Sequence, residues 1–132
     1  NMIKIILDTN FLIYSAKQKV DYVREILNLI SEKKEIIVLS SVVSELENLA
    51  AKSRKLKNRA SAELALKILK NYIKNKKIRI QKSDKNADYA IKEISKKEKN
   101  VILATADRKL KSEVKGNVRV LSIKKSRHLE LV

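Results

Sequence analysis

The sequence contains no cysteine, no proline and no tryptophan, and only one glycine and one histidine. Without cysteine there can be no disulfide, no thiolate nucleophile and no cysteine-ligated zinc. The single imidazole, His128, is one short of the pair that metal-free RNA cleavage ordinarily uses as acid and base, and histidine-rich metal sites need more. With Gly116 alone, neither a P-loop nor a dinucleotide-binding fingerprint can be built, so nucleotide-cofactor readings fall away. Aromatic residues make up 4% of the chain, too few for extensive base stacking. The longest apolar runs, such as Ile5-Ile6-Leu7 and Ile36-Ile37-Val38-Leu39, stop far short of the roughly 20 residues a membrane span requires. Nothing at the start resembles a secretory signal, and Asn1 ahead of Met2 reads as a remnant preceding the natural start. A soluble, cytoplasmic protein is expected.

What remains is a chain of 132 residues, 44% hydrophobic, long enough for one respectable core and short for two. One domain over 1–132 is expected, with about 124–132 as a C-terminal tail. Thirty-one Lys and Arg stand against fifteen Asp and Glu, a formal charge of +16. A surface biased as in thermophiles raises Glu along with Lys, whereas here the acids lag. A polyanion is the expected partner, and nucleic acid fits better than a membrane surface because the charge is spread along the chain.

The apolar pattern alternates between strand and helix. Residues 2–7 are rich in β-branched side chains and nearly continuous in apolar character, like a strand covered on both faces, and end at Asp8. Val23, Ile26, Leu27 and Ile30 recur at helical spacing within 21–33, and 36–39 is a second strand. Ser40 and Ser41 offer an N-cap to a helix carrying Val42, Val43, Leu46, Leu49 and Ala50. A basic stretch, 52–59, precedes a long helix over 60–75, and 78–80 is a short third strand. Asp84 or Asn86 can cap the next helix. Val101-Ile102-Leu103-Ala104 makes a fourth strand, a short helix covers 107–114, and 118–121 is a fifth strand. The order predicts an α/β fold with a mainly parallel, roughly five-stranded central sheet flanked by helices in three layers.

In such a sheet, ligands bind beyond the carboxyl ends of the strands. Asp8 closes the first strand, Glu45 follows the second, Asp88 follows the third and Asp107 the fourth, so all four acids reach one edge. Clustered carboxylates repel one another and are tolerated where a cation neutralises them. Oxygen-only donors suit Mg²⁺ or Mn²⁺, which lower the pKa of a bound water and brace the oxygens of a phosphodiester. Each acid also has an ordinary role open to it. Asp8 and Asp107 can cap the helices that follow them. Glu45 and Glu47 flank the same apolar stripe at about equal angles, and Asp84 and Asp88 share a helical face, so that either can be the ligand while the other caps the helix or pairs with Lys92.

Together the motifs resemble the PIN-domain nucleases. Ile6-Leu7-Asp8-Thr9-Asn10-Phe11-Leu12-Ile13 is similar to the family's first motif and Val42-Val43-Ser44-Glu45-Leu46 to its second, which selects Glu45 over Glu47. Ala87-Asp88-Tyr89-Ala90-Ile91 resembles the third and selects Asp88 over Asp84, and the fourth runs from Val101 through Thr105 to Leu110. The resemblance implies an endoribonuclease in which Asp8, Glu45, Asp88 and Asp107 hold one or two Mg²⁺ or Mn²⁺ ions, with Asn10 and Thr105 in support. Water would attack in line and leave a 5′-phosphate and a 3′-hydroxyl. Lys52, Arg54, Lys55, Lys57, Arg59 and Arg108 are the candidates for phosphate contact. The last two motifs look nearest to the PIN domains that trim ribosomal RNA precursors, while a toxin-type ribonuclease is the other setting. A homodimer, an antitoxin or a ribosome-assembly partner is compatible with these settings.

Tyr89 stands where such relatives often carry a second Asp, Ala106 where Asn is usual, and Lys109 where another acid can occur. These departures support an alternative, a catalytically weak PIN domain that binds RNA as a scaffold. A phosphatase with Asp8 as covalent nucleophile is disfavoured, because Asn10 occupies the place where the haloacid dehalogenase type needs a second Asp.

Overall fold

Leu7 is wholly buried and Asp8 nearly so, and this abrupt change from apolar to ionisable side chain sets the geometry of the molecule. The computed structural model describes residues 2–132; Asn1 lies outside the described residues. Strand β1 (Ile3–Leu7) runs into helix α1 (Thr9–Gln18), then α2 (Tyr22–Leu29), β2 (Lys34–Leu39), α3 (Ser40–Lys52), α4 (Leu56–Lys74) and β3 (Arg79–Gln81). The second half adds α5 (Ala87–Lys97), β4 (Val101–Ala104), α6 (Arg108–Val114), β5 (Arg119–Ile123) and β6 (Leu129–Leu131).

The six strands form one sheet in the order β3-β2-β1-β4-β5-β6. All neighbours are parallel except β5 and β6. The chain builds outward from β1 through β2 to β3, then crosses back to place β4 on the other flank of β1. Right-handed crossovers put the helices before and after that reversal on opposite faces. The packing agrees, with α1 and α3 lying on α4, and α5 on α6. The expected three-layer α/β fold is present.

Helix α1 was not expected, α4 begins at Leu56 within the basic stretch rather than at 60, and two further parts differ from the sequence reading. The sheet has six strands rather than five, because 124–132, read as a tail, turns back and pairs Leu129 with Ile123 and Leu131 with Leu121. Leu129 is buried in the core by that pairing. Ser40 and Ser41 do not cap α3, whose N-cap is Leu39 without a side-chain hydrogen bond. Instead Ser40 Oγ accepts from Ser83 N at 2.8 Å and donates to Ser83 O, and Ser41 Oγ lies 3.0 Å from Ser83 Oγ. The serines therefore fasten the start of α3 to the loop that leads into α5. None of the described helices is long and apolar enough to cross a membrane.

β1 and β4 lie at the point where the strand order reverses, and the crevice beyond their carboxyl ends is where this class of sheet receives ligands. Ile5, Ile6 and Leu7 in β1 and Leu103 and Ala104 in β4 are all buried, which fixes the height of both strand ends.

Candidate active site

Asp8 leaves β1 with extended backbone and is the N-cap of α1. Its Oδ1 accepts from Thr9 N at 2.8 Å and its Oδ2 accepts from the Thr105 hydroxyl, also at 2.8 Å. Thr105, 1% exposed, follows β4 directly. Its hydroxyl oxygen accepts in turn from Asp107 N at 3.0 Å, so one side chain ties the carboxyl of Asp8 to the backbone of Asp107. Asp107 caps α6 through Oδ1, which receives Lys109 N at 2.9 Å and Leu110 N at 3.3 Å. Both acids thus have the capping role open to them in the sequence, and both stand at the switch point.

Burial pushes the Asp8 carboxyl above the usual carboxylate range, the hydrogen bonds from Thr105 and Thr9 oppose that push, and the charges of Asp107 and Asp88 add to it. Glu45, on α3, is raised first by desolvation and then by Asp8, with Asp88 contributing further. The Thr9 hydroxyl acts in the opposite sense on Glu45, but it makes no well-formed hydrogen bond. Neither Glu47 nor Asp84 figures among the charges acting on Asp8 or Glu45. Asn86, not Asp84, caps α5, accepting from Tyr89 N at 2.9 Å.

The acids sense one another without converging. Among the described residues, no three of the His, Asp and Glu side chains stand close enough to hold a metal ion as they are placed. Asp88 is drawn to Lys92, 2.9 Å away and one turn along α5, and Lys92 also pairs with Glu113 of α6. Those contacts hold the Lys92 ammonium up at about 12. By contrast, no Lys, Arg or His pairs with Asp8, Glu45 or Asp107 among the described residues.

The supporting residues divide. Thr105 is in direct contact with Asp8, whereas Asn10 is exposed and lines a small depression with Ile13, Tyr14, Lys17 and Ala106. Tyr89, half exposed, lies under the Lys85 ammonium, which sits 4.5 Å from the ring centroid. Of the phosphate-contact candidates, Arg108 opens α6 beside Asp107 in a cleft of about 500 Å³. Lys52, Arg54, Lys55, Lys57 and Arg59 cluster where α3 turns into α4, with Lys52 ~10 Å along the helix axis from Glu45. Arg59 is half buried there, and its Nε has no partner. The sequence reading missed Lys111, Lys124 and Lys125, which line the same cleft as Arg108. Their only signal was their place on the short elements that follow Asp107.

The family model described as PIN like domain matches residues 5–126, most of the chain, from within β1 through β5. The chain belongs to the PIN-like domain family. Ribonuclease VapC4 of Methanocaldococcus jannaschii is 38% identical over 131 residues, covering 98% of this chain and 97% of that protein. The PIN domain endonuclease Utp24 shares the fold with a TM-score of 0.73 at 21% identity, covering 97% of this chain and 90% of that one. VapBC2 from Rickettsia felis, solved bound to a DNA fragment from its promoter, matches at a TM-score of 0.55 and 19% identity, over 92% of this chain and all of the matched chain (100%). At those identities the two structures speak to the PIN fold alone.

Proposed function

We propose that this PIN-like protein is a metal-dependent endoribonuclease whose reaction centre is built from Asp8, Glu45, Asp88 and Asp107. The observation that carries the proposal is the carboxyl of Asp8, buried at the strand-order reversal, acted on by two further acids and lacking any basic partner. Burial and the neighbouring acids disfavour the Asp8 anion, and a cation bound there would offset that cost. The donor set is all oxygen and suits Mg²⁺ or Mn²⁺. Asp8, Glu45, Asp88 and Asp107 would hold such an ion, which would supply Lewis acidity to activate water and positive charge to offset that of the phosphodiester. Thr105 and Thr9 N fix both oxygens of Asp8 in place, so that the carboxylate is already oriented. Asp88 and Glu45 come from the helices that follow β3 and β2, and Asp88 would join the centre by leaving its surface pair with Lys92. Arg108 stands ready for a phosphate beside Asp107.

RNA is favoured as substrate because the 38% identical relative is a ribonuclease. The same relative favours a toxin-type setting, with an antitoxin as partner, over ribosomal RNA processing, since the likeness to Utp24 concerns fold. The test is incubation of the purified protein with single-stranded and structured RNA and DNA, in Mn²⁺ or in EDTA. Cleavage that needs Mn²⁺ and disappears in Asp8→Asn and Asp107→Asn supports the proposal. Unchanged cleavage in either variant overturns the site.

A second reading has support of its own. Asp88 is paired with Lys92, and Tyr89, Ala106 and Lys109 stand where auxiliary acid or amide groups could have joined the quartet. An RNA-binding scaffold with weakened chemistry follows from this, and RNA retention without cleavage in Mn²⁺ would establish it.

A further inference from the structure

Five cations without ion-pair partners among the described residues surround two adjoining depressions, one of them lined by Asp107. Arg108 and Lys111 come from α6, Lys124 and Lys125 from the turn between β5 and β6, and Lys17 from α1. None of them is in an ion pair among the described residues. The two depressions, about 500 and 330 Å³, share Tyr14 and Ala106 as a common wall. Among the described residues that line them, only Asp107 and Glu130 bring negative charge.

The walls are ordered by the fold. Lys111 Nζ reaches across to Ser122 Oγ at 3.4 Å, and the turn carrying Lys124 and Lys125 is closed by Lys124 N donating to His128 O and Arg127 N donating to Lys124 O. Among the described residues, Tyr14 is the one tyrosine that is exposed and has neither an aromatic nor a cation partner. Tyr22 and Tyr72 pack edge to face with each other, and Tyr89 is covered by Lys85. Tyr14 is 38% exposed in the wall where the two depressions meet.

We propose that single-stranded RNA lies in this cleft between α6 and the β5–β6 turn, with backbone phosphates on Lys111, Lys124 and Lys125 and one base stacked on Tyr14, leading the adjoining phosphate to the carboxylate edge. This path rests on the nuclease reading above and adds residues to it. Its chemistry is that of sequence-tolerant single-strand binding, a basic track with an aromatic platform. The basic turn between α3 and α4 is the competing surface, and it has no aromatic residue between 52 and 59.

The experiment uses the full chain carrying Asp8→Asn, which keeps a capping side chain on α1 but stops turnover, and a fluorescein-labelled twelve-residue oligouridylate. Binding is followed by anisotropy over a series of salt concentrations in EDTA. Adding Lys124→Ala and Lys125→Ala is expected to flatten the slope of log affinity against log salt by about 1.4, or ~0.7 for each phosphate left without its lysine. Adding Tyr14→Ala is expected to weaken binding about 5- to 150-fold with the slope unchanged. Lys33→Ala with Lys77→Ala removes equal charge just ahead of β2 and β3, at the opposite edge, and is expected to leave the slope unchanged. The proposal is overturned if the Lys124 and Lys125 changes act no more strongly than that control, if Lys52→Ala with Lys55→Ala takes over the effect, or if the oligonucleotide does not bind. Thermal melts confirm that each variant is folded. Cleavage by the parent protein in Mn²⁺ is scored separately, so binding in the cleft without cleavage refutes the nuclease reading and leaves the cleft standing.

Discussion

Replacing Thr105 by Val tests how the site is held together. Valine fills nearly the same volume, so the buried packing is preserved while the hydroxyl that serves Asp8 and Asp107 is removed. A hydrogen bond to an ionised carboxylate contributes roughly 1.5–3 kcal/mol and one to a neutral carboxyl roughly 0.5–1.5 kcal/mol. Both Thr105 and Asp8 are buried, so water cannot readily replace the missing donor. The variant is expected to lose about 2 kcal/mol in urea unfolding at about pH 7 in EDTA, and under about 1 kcal/mol at about pH 3, where Asp8 is protonated. The sign follows from the direction of the shift. Burial raises Asp8 in the folded state, so the folded protein binds the proton more tightly than the unfolded chain. Stability from this group is present below the unfolded pKa and is lost as pH rises through the folded one. Removing Thr105 takes away a group that opposed the rise, steepening that loss. Thr105→Ser keeps the hydroxyl and should restore most of the difference. Equal destabilisation at both pH values, or none at either, would refute the idea that this hydroxyl holds the carboxylate.

Three further outcomes are expected. Mn²⁺ should raise the melting temperature at neutral pH, and the increment should shrink on acidification through the raised pKa values of Asp8 and Glu45, because ligands must lose their protons to bind; scanning calorimetry with and without EDTA measures it. Leu129→Ala should cost about 2–3 kcal/mol in denaturant unfolding, whereas a disordered tail would tolerate the change with no effect. Tyr22→Phe removes a buried hydroxyl that has no partner, so unfolding should show no loss of stability and a gain of up to about 1 kcal/mol.

The reading of Asp8 and Asp107 from the sequence depended on strand ends, and strand ends are legible when β-branched apolar runs stop at an acid. Glu45 and Glu47 were beyond that reach, since both flank one helical stripe. Their difference lies in which one faces Asp8 across the gap between β1 and α3, a tertiary fact. The cap at α5 is likewise a tertiary fact, since Asp84 and Asn86 are both capping types and only Asn86 receives Tyr89 N. Helix α1 has its buried face at helical spacing in Phe11, Leu12, Ser15 and Ala16, but Ser15 and Ala16 give that stripe little apolar contrast. Strand β6 left a fainter trace. Leu129-Glu130-Leu131 alternates as an edge strand should, but three residues give too short a pattern, and its pairing with β5 depends on the turn before it. The serines at the start of α3 looked like a cap because residue type predicts caps locally, while Ser83, the partner that took them, is over forty positions away.

The two strands that end the sheet also show how a chain without proline can discourage edge-to-edge pairing of its backbone. Proline and bulges are common ways to blunt a sheet edge. Here β3 and β6 are each three residues long, and each places a charge in its middle or at its start, Glu130 in one and Arg79 in the other. Arg79 is held by both Nε and an Nη to Glu35 of the neighbouring strand, which keeps a charged group along that margin. A second chain seeking to extend the sheet meets a ladder too short to reward it. Lengthening either edge strand by a few apolar residues would therefore expose a template for fibrous association in a protein whose own charge otherwise keeps copies apart.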